Sequence, residues 1–206
     1  MKAQQSFFEN PEMDNSSFDK DYYENISFDR IDKPGIVLKE IEFYSCTFNN
    51  INFLKSVIKS CRLEKCTFKN SNLSLTQFTD SFFTDINFID CKLTGINWAL
   101  LHKPMSFSFR KSIISDSSFF SLNLTGTEIT ECTAHNVDFE KANLSKSNCT
   151  FTDFHGSKFS ATNLSGADFT DARNYAINPN NNNIKKAKFS YPEVLLLLNF
   201  WDIIIE

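Results

Sequence analysis

From Ile41 to Trp98 a large apolar residue recurs at every fifth position without a miss: Phe43, Phe48, Phe53, Ile58, Leu63, Phe68, Leu73, Phe78, Phe83, Phe88, Leu93 and Trp98. Two places before each stands a second, mostly small set that includes Cys46, Ser56, Cys61, Cys66, Ser71 and Thr76. The positions between are largely Asn, Thr, Ser, Lys, Asp and Glu. A period of five matches neither the roughly 3.6 of a helix nor the period of about two of a flat strand. Residues two apart on extended backbone share a face, so the large residue and its small partner can both point inward. The next large residue lies at an odd offset, and the chain must turn a corner in each unit to bring it inward again. Repeated corners wind a coil with one wall per unit. Stacked coils then pair each other's backbone groups, and the small partner is a steric requirement of a crowded wall.

The register extends beyond that run. It starts at Phe18 and passes through Tyr23 and Phe28. Lys33 stands at the next slot, inside Asp32-Lys33-Pro34-Gly35, where Pro and Gly predict a bulged unit, and Leu38 resumes on schedule. After Trp98 the segment 99–108 fits no unit, and the repeat returns at Phe109 and continues to Phe169. The step from Trp98 to Phe109 is two units plus one residue, so one extra residue must be absorbed as a bulge or small loop. This is the one phase break in the register. It is either a tolerated insertion or a functional loop.

The chain therefore divides into a lead or cap at 1–17, a repeat body at 18–171 and a C-terminal cap and dimerisation segment at 172–206. In the last, Ser190-Tyr191-Pro192-Glu193 predicts a helix start with Ser190 as N-cap. Val194 to Leu198, Phe200, Trp201 and Ile203 to Ile205 follow. So apolar an ending is expected to plug the open end of the coil and to bury against a second copy, because an uncovered solenoid end exposes strand edges. A two-fold dimer through Val194, Leu195, Leu198, Phe200 and Trp201 is the simplest closed arrangement.

Three later units spell out a sharper order: Ala142-Asn143-Leu144-Ser145-Lys146, Thr162-Asn163-Leu164-Ser165-Gly166 and Ala167-Asp168-Phe169-Thr170-Asp171. In these the chain resembles the pentapeptide-repeat proteins, and the resemblance covers about three-quarters of its length. It implies an all-β fold, a right-handed quadrilateral β-helix with four units per coil, here with a short C-terminal α-helical cap. About eight coils at a strand spacing of about 4.8 Å make a body roughly 40 Å long.

Composition narrows the function. The formal net charge is −4, which disfavours direct nucleic-acid binding. No apolar run reaches membrane-spanning length and no signal peptide opens the chain, so a cytoplasmic location is expected. Cys46, Cys61, Cys66, Cys91 and Cys132 occupy the small inward position and Cys149 a central one, which predicts buried thiols rather than disulfides or metal ligands. The chain lacks nucleotide-binding glycine motifs, a nucleophile elbow and a zinc-protease motif, and its three histidines are isolated. An enzyme, a cofactor and a metal are not expected.

Within the family, the length, the mid-chain phase break and the ending are similar to the topoisomerase-protecting branch, the Qnr-type and microcin B17 immunity proteins. That resemblance implies a dimeric rod that engages DNA gyrase or topoisomerase IV and counters a drug or toxin, by offering a DNA-shaped negative surface to a basic groove. Counting units places Asp29, Asp90, Glu128, Glu131, Asp168 and Asp171 on one wall with Phe28, Phe48, Phe68 and Phe88; Arg30, Lys69, Arg110 and Lys111 share it, leaving an excess of two acids. These acids are the expected electrostatic contacts. Leu100, Leu101, His102, Lys103, Pro104 and Met105 are the expected loop contacts. The alternative is a generic interaction scaffold with an unrelated partner.

Overall fold

The structure is a computed structural model describing residues 18–201 and 203. The lead at 1–17 and Ile204 and Ile205 of the apolar tail lie outside the described residues. The chain winds as a parallel β-solenoid of about eight turns. Residues twenty apart are partners: Phe28 pairs with Phe48, Phe48 with Phe68 and Phe68 with Phe88. Four five-residue units therefore close one coil, and four walls rise along the axis. The Tyr23 wall carries the strands Tyr22–Glu24, Glu42–Tyr44, Arg62–Glu64 and Phe82–Thr84. The Phe28 wall is a six-stranded sheet running from Ser27–Asp29 to Ile129–Thr130. The Leu38 wall has three strands, and the wall starting at Lys33 is built of single bridges such as Asn52 to Asn72.

The interior is a stack of rings. Phe28, Phe48, Phe68, Phe88 and Phe109 lie one above another with centroids 5.0, 4.5, 5.2 and 5.4 Å apart and planes within 18°. Phe78, Trp98, Phe119, Phe139 and Phe159 form a second column. Each such side chain contributes about 1.5–3 kcal/mol on burial.

The small inward position has a second job besides fitting. Its N–H lies off the main ladder, and a hydroxyl from the next coil accepts it. Val137 N–H donates to Ser157 Oγ at 2.9 Å, and that hydroxyl donates to Ala134 O at 2.6 Å. Thr152 serves Cys132 and Ile129 in the same way. Where Cys stands instead, as at Cys66 and Cys91, the thiol points at a carbonyl of the coil above. All six thiols are buried and free, and burial pushes Cys91 up to about 11 and Cys132 and Cys149 to about 12. Cys91, Cys132 and Cys149 therefore stay protonated and unreactive at neutral pH.

Corners fall on the last residue of each unit. There φ is near +55°, and its N–H donates to the next coil, as Asn50 does to Lys69 O. All five glycines of the chain occupy such corners. Asp, Asn and other residues hold most of the rest at a local cost that the ladder bond offsets.

Three expectations change. Lys33-Pro34-Gly35 is not bulged: Ile36 N–H bonds to Lys33 O as Ser56 does to Phe53 O, and Gly35 is an ordinary corner. Phe18 is no wall residue; its ring lies over Tyr23, Phe28, Phe43 and Phe53 and covers the first coil, above a column in which Lys33 supplies no apolar group. The C-terminal helix is a 3₁₀ helix, Glu193–Phe200, and Ser190 does not cap it. Its Oγ accepts the Asp171 N–H, Pro192 holds the N-cap position, and Val194 and Leu197, three apart, pack on the tube end. A spacing of three on one face suits a three-residue turn.

Candidate functional site

At the phase break Asn97 caps a single 3₁₀ turn, Trp98–Leu100, through the Ala99 N–H. Trp98 stays in its column, but the next slot on the Tyr23 wall goes unfilled: Lys103 and Pro104 are exposed, joined by a cis peptide bond. Phe107 turns inward instead and packs 5.2 Å from Trp98. Pairing then resumes one residue late, with Ile86 opposite Phe107 and Phe88 opposite Phe109. The extra residue is thus absorbed on one wall, and the Tyr23-wall sheet ends there.

The six predicted loop contacts separate. Leu101 is buried in the core and cannot touch a partner, and Met105 is packed against it. Leu100, His102, Lys103 and Pro104 face out; the His102 ring lies flat on Phe82 at 4.4 Å.

The six predicted acids do share one wall, but not as a free negative strip. Asp29 pairs with Arg30 at 3.2 Å, Glu131 with Lys111 at 3.7 Å and Asp168 with Lys188 at 2.8 Å. Lys188 continues this wall through the strand Lys188–Phe189, so the acid excess falls from two to one. Asp90, Glu128 and Asp171 make no ion pair among the described residues.

A denser acidic strip went unread on the Tyr23 wall. Asp21, Glu24, Glu42, Glu64 and Asp85 flank its first four core residues against only Arg62 and Lys65. Arg62 leans on Phe82 and Glu42, and Lys65 on Tyr44 and Glu64. Beyond the phase break the same wall carries Asn123, Asn143, Asn163, Lys146, Lys185 and Lys186. Counting charge on every wall, rather than one, would have found this polarity.

At the C-terminal end Leu195, Phe200, Trp201 and Ile203 are exposed, while Val194 and Leu198 are partly covered. No helix among the described residues is long and apolar enough to cross a membrane.

A model of pentapeptide repeats matches eight copies, over residues 58–95, 123–160 and 135–171. The chain belongs to the pentapeptide-repeat family. Two trypsin-treated variants of QnrB1, a plasmid-mediated fluoroquinolone resistance protein, share its fold. One has a TM-score of 0.63 at 20% identity over 95% of both chains, the other 0.61 at 20% identity over 90% of both. No curated protein matches this pentapeptide-repeat chain by sequence.

Proposed function

We propose that this pentapeptide-repeat protein is a non-catalytic binding protein that engages DNA gyrase or topoisomerase IV as a DNA-shaped rod and counters a drug or toxin aimed at it. The observation that carries the reading is the match in fold to a fluoroquinolone resistance protein along 95% of both chains. Charge supports it in a revised place. Asp21, Glu24 and Asp85 on the Tyr23 wall and Asp90 beside it form the electrostatic contact, since Asp29, Glu131 and Asp168 are already ion-paired. The exposed Leu195, Phe200, Trp201 and Ile203 join two copies end to end, which doubles the length of the rod.

The test is a supercoiling assay with purified gyrase, titrated with the protein in the presence and absence of a fluoroquinolone. Inhibition alone, or rescue from the drug, is expected, and the Asp21→Asn, Glu24→Gln, Asp85→Asn, Asp90→Asn combination weakens it. An assay that moves in neither arm discards the reading. One observation favours a different partner: half of the acids on the Phe28 wall are neutralised by bases of the same chain, as on a scaffold that is not built to imitate DNA.

A further inference from the structure

Over most of the body, adjacent coils are stitched on each wall by backbone bonds of one pattern. On the Tyr23 wall Asn143 N–H donates up to Leu122 O, and Leu124 and Gly126 N–H donate down to Asn143 and Ser145. Between the phase-break segment and the coil below, that stitch is missing. Among the described residues no backbone hydrogen bond joins 99–106 to 119–127. The causes are local. Pro104 stands where a downward N–H is needed, and Ser106 N–H turns up to Phe83 O instead. Among the described residues, the N–H groups of Asn123 and Glu128 and the carbonyls of Asn123 and Thr125 on the upper edge of the lower coil have no backbone partner.

Space accompanies the open edge. A cleft of about 320 Å³ lies between Asp85, Asn87, Met105 and Ser106 on one side and Asn123 and Glu128 on the other. The corner glycines report the same gap. A Cβ at Gly95, Gly156 or Gly166 would come within 4 Å of a side chain of the preceding coil, whereas at Gly126 it would meet nothing. Two carboxylates border the cleft. Asp85 accepts a hydrogen bond from Ser106 Oγ at 3.1 Å, and neither it nor Glu128 is ion-paired among the described residues.

We propose that this missing rung is a docking site for an extended segment of a protein partner, whose backbone completes the ladder along Asn123–Glu128 and whose Arg or Lys side chain sits between Asp85 and Glu128. Strand addition supplies the affinity through main-chain bonds, and the two acids select a basic residue. The open edge and the charge of its lips choose the occupant: an extended backbone matches alternating donors and acceptors, and a cation matches the carboxylates. The inference goes beyond the topoisomerase reading and stands whichever partner the rod serves.

The experiment uses the full chain, isotope-labelled, and the capped pentapeptide Ac-Thr-Val-Arg-Val-Thr-NH2. In the free protein the Asn123 and Glu128 amides are expected to exchange rapidly with solvent. The peptide is expected to shift both amides saturably with a Kd of about 1 mM. Replacing its Arg by citrulline, or Asp85→Asn with Glu128→Gln in the protein, weakens binding about 3- to 10-fold. N-methylation of the two Val amides abolishes it. The proposal is overturned by slow exchange at both amides in the free chain, by no saturable shift, by shifts confined to other surfaces, or by full binding of the N-methylated peptide. It also fails if the same amides shift with protein concentration alone, since a second copy would then be the occupant.

Discussion

The solenoid before the phase break and the solenoid after it are built from the same unit, yet they differ in how the unit turns. Before it, three of the four walls are true strands; after it, most walls are single bridges with a tight turn in each unit. The difference is set by the residue just before the core position. Where that residue is Asn or Asp, its side chain accepts the N–H two places on, as in Asn143 to Ser145, Asp138 to Glu140 and Asn163 to Ser165. The backbone then closes a turn, with Ser147 N–H on Leu144 O and Ala142 on Phe139. Ser118 does the same for Phe120. Where the residue is β-branched or aromatic, as at Thr47, Val57, Thr67 or Phe82, the unit stays extended. Asx chemistry competes with the strand for the same backbone groups, and it wins when present. Some units depart from the rule. Ile113 and Thr133 are β-branched yet hold single bridges with a turn after them rather than strands. Asn148 takes the Thr150 N–H without a closed turn, and Asn87 bonds Ser108 and remains in a strand.

Because backbone stitching between the two halves is incomplete on one wall, ring contacts bear more of the connection. Trp98 stacks on Phe78 above and Phe119 below. Trp98→Ala is expected to cost about 3–5 kcal/mol. It should also split a single unfolding transition into two, because a solenoid couples only neighbouring coils. Urea unfolding followed by circular dichroism and by exchange at amides of each half checks this; a single coincident transition would mean that the halves are not separable. Next in size is the interior hydroxyl. Ser157→Ala removes the acceptor of the buried Val137 N–H and is expected to cost about 1–3 kcal/mol. Ser56 occupies the equivalent position with a buried Oγ that has no hydrogen-bond partner among the described residues, so Ser56→Ala should be neutral or stabilising in the same unfolding series.

Much of this architecture was readable from the residues. The period of five fixed the ring columns, the small inward set, the burial of the six thiols and the location of the phase break, because each follows from steric and packing demands that act within one unit. What escaped depends on more than one coil or on polar geometry. The hydroxyl of Ser157 matters through an amide twenty residues earlier, and the ion pair of Asp168 through Lys188 twenty later. Leu101 lay in a segment that fits no unit, so its turn into the core had no pattern to betray it. Pro and Gly at 34–35 suggested a bulge because the corner's positive φ, shared by nearly every unit, is invisible in apolar spacing. The five glycines, all in one phase of the register on each side of the break, were the overlooked signal.

The turn rule itself can be tested at one position on each side. Asn143 accepts the Ser145 N–H at 3.1 Å and the Asn163 side chain at 3.0 Å, so Asn143→Ala loses both and is expected to cost about 1–2 kcal/mol. Thr67→Ala, at the matching position of a strand unit, makes no such bond and should cost under about 1 kcal/mol by the same unfolding measurement. Equal losses would refute the assignment of the turn to the Asn side chain.

The smallest effect expected is the pH response of one charged rung. Asp168 is held below its ordinary carboxylate range by the Lys188 ammonium at 2.8 Å, with the Thr170 N–H adding to it. A depressed folded-state pKa means that the pair stabilises fully above the unfolded value of 3.8 and that the contribution disappears as pH falls through the lower folded value. Lys188 is 70% exposed, so screening limits the contribution to about 0.5 kcal/mol or less. The neighbouring rung of Asn163 and Asn183, bonded at 3.0 Å, has nothing to titrate. Lys188→Met should therefore lower stability slightly at about pH 6, and the difference should shrink as the pH falls below 3.8 and through the lower folded value, where the carboxyl becomes protonated. An undiminished difference at the lower pH would show that Lys188 acts by covering the end of the sheet with its methylene stem rather than by its charge.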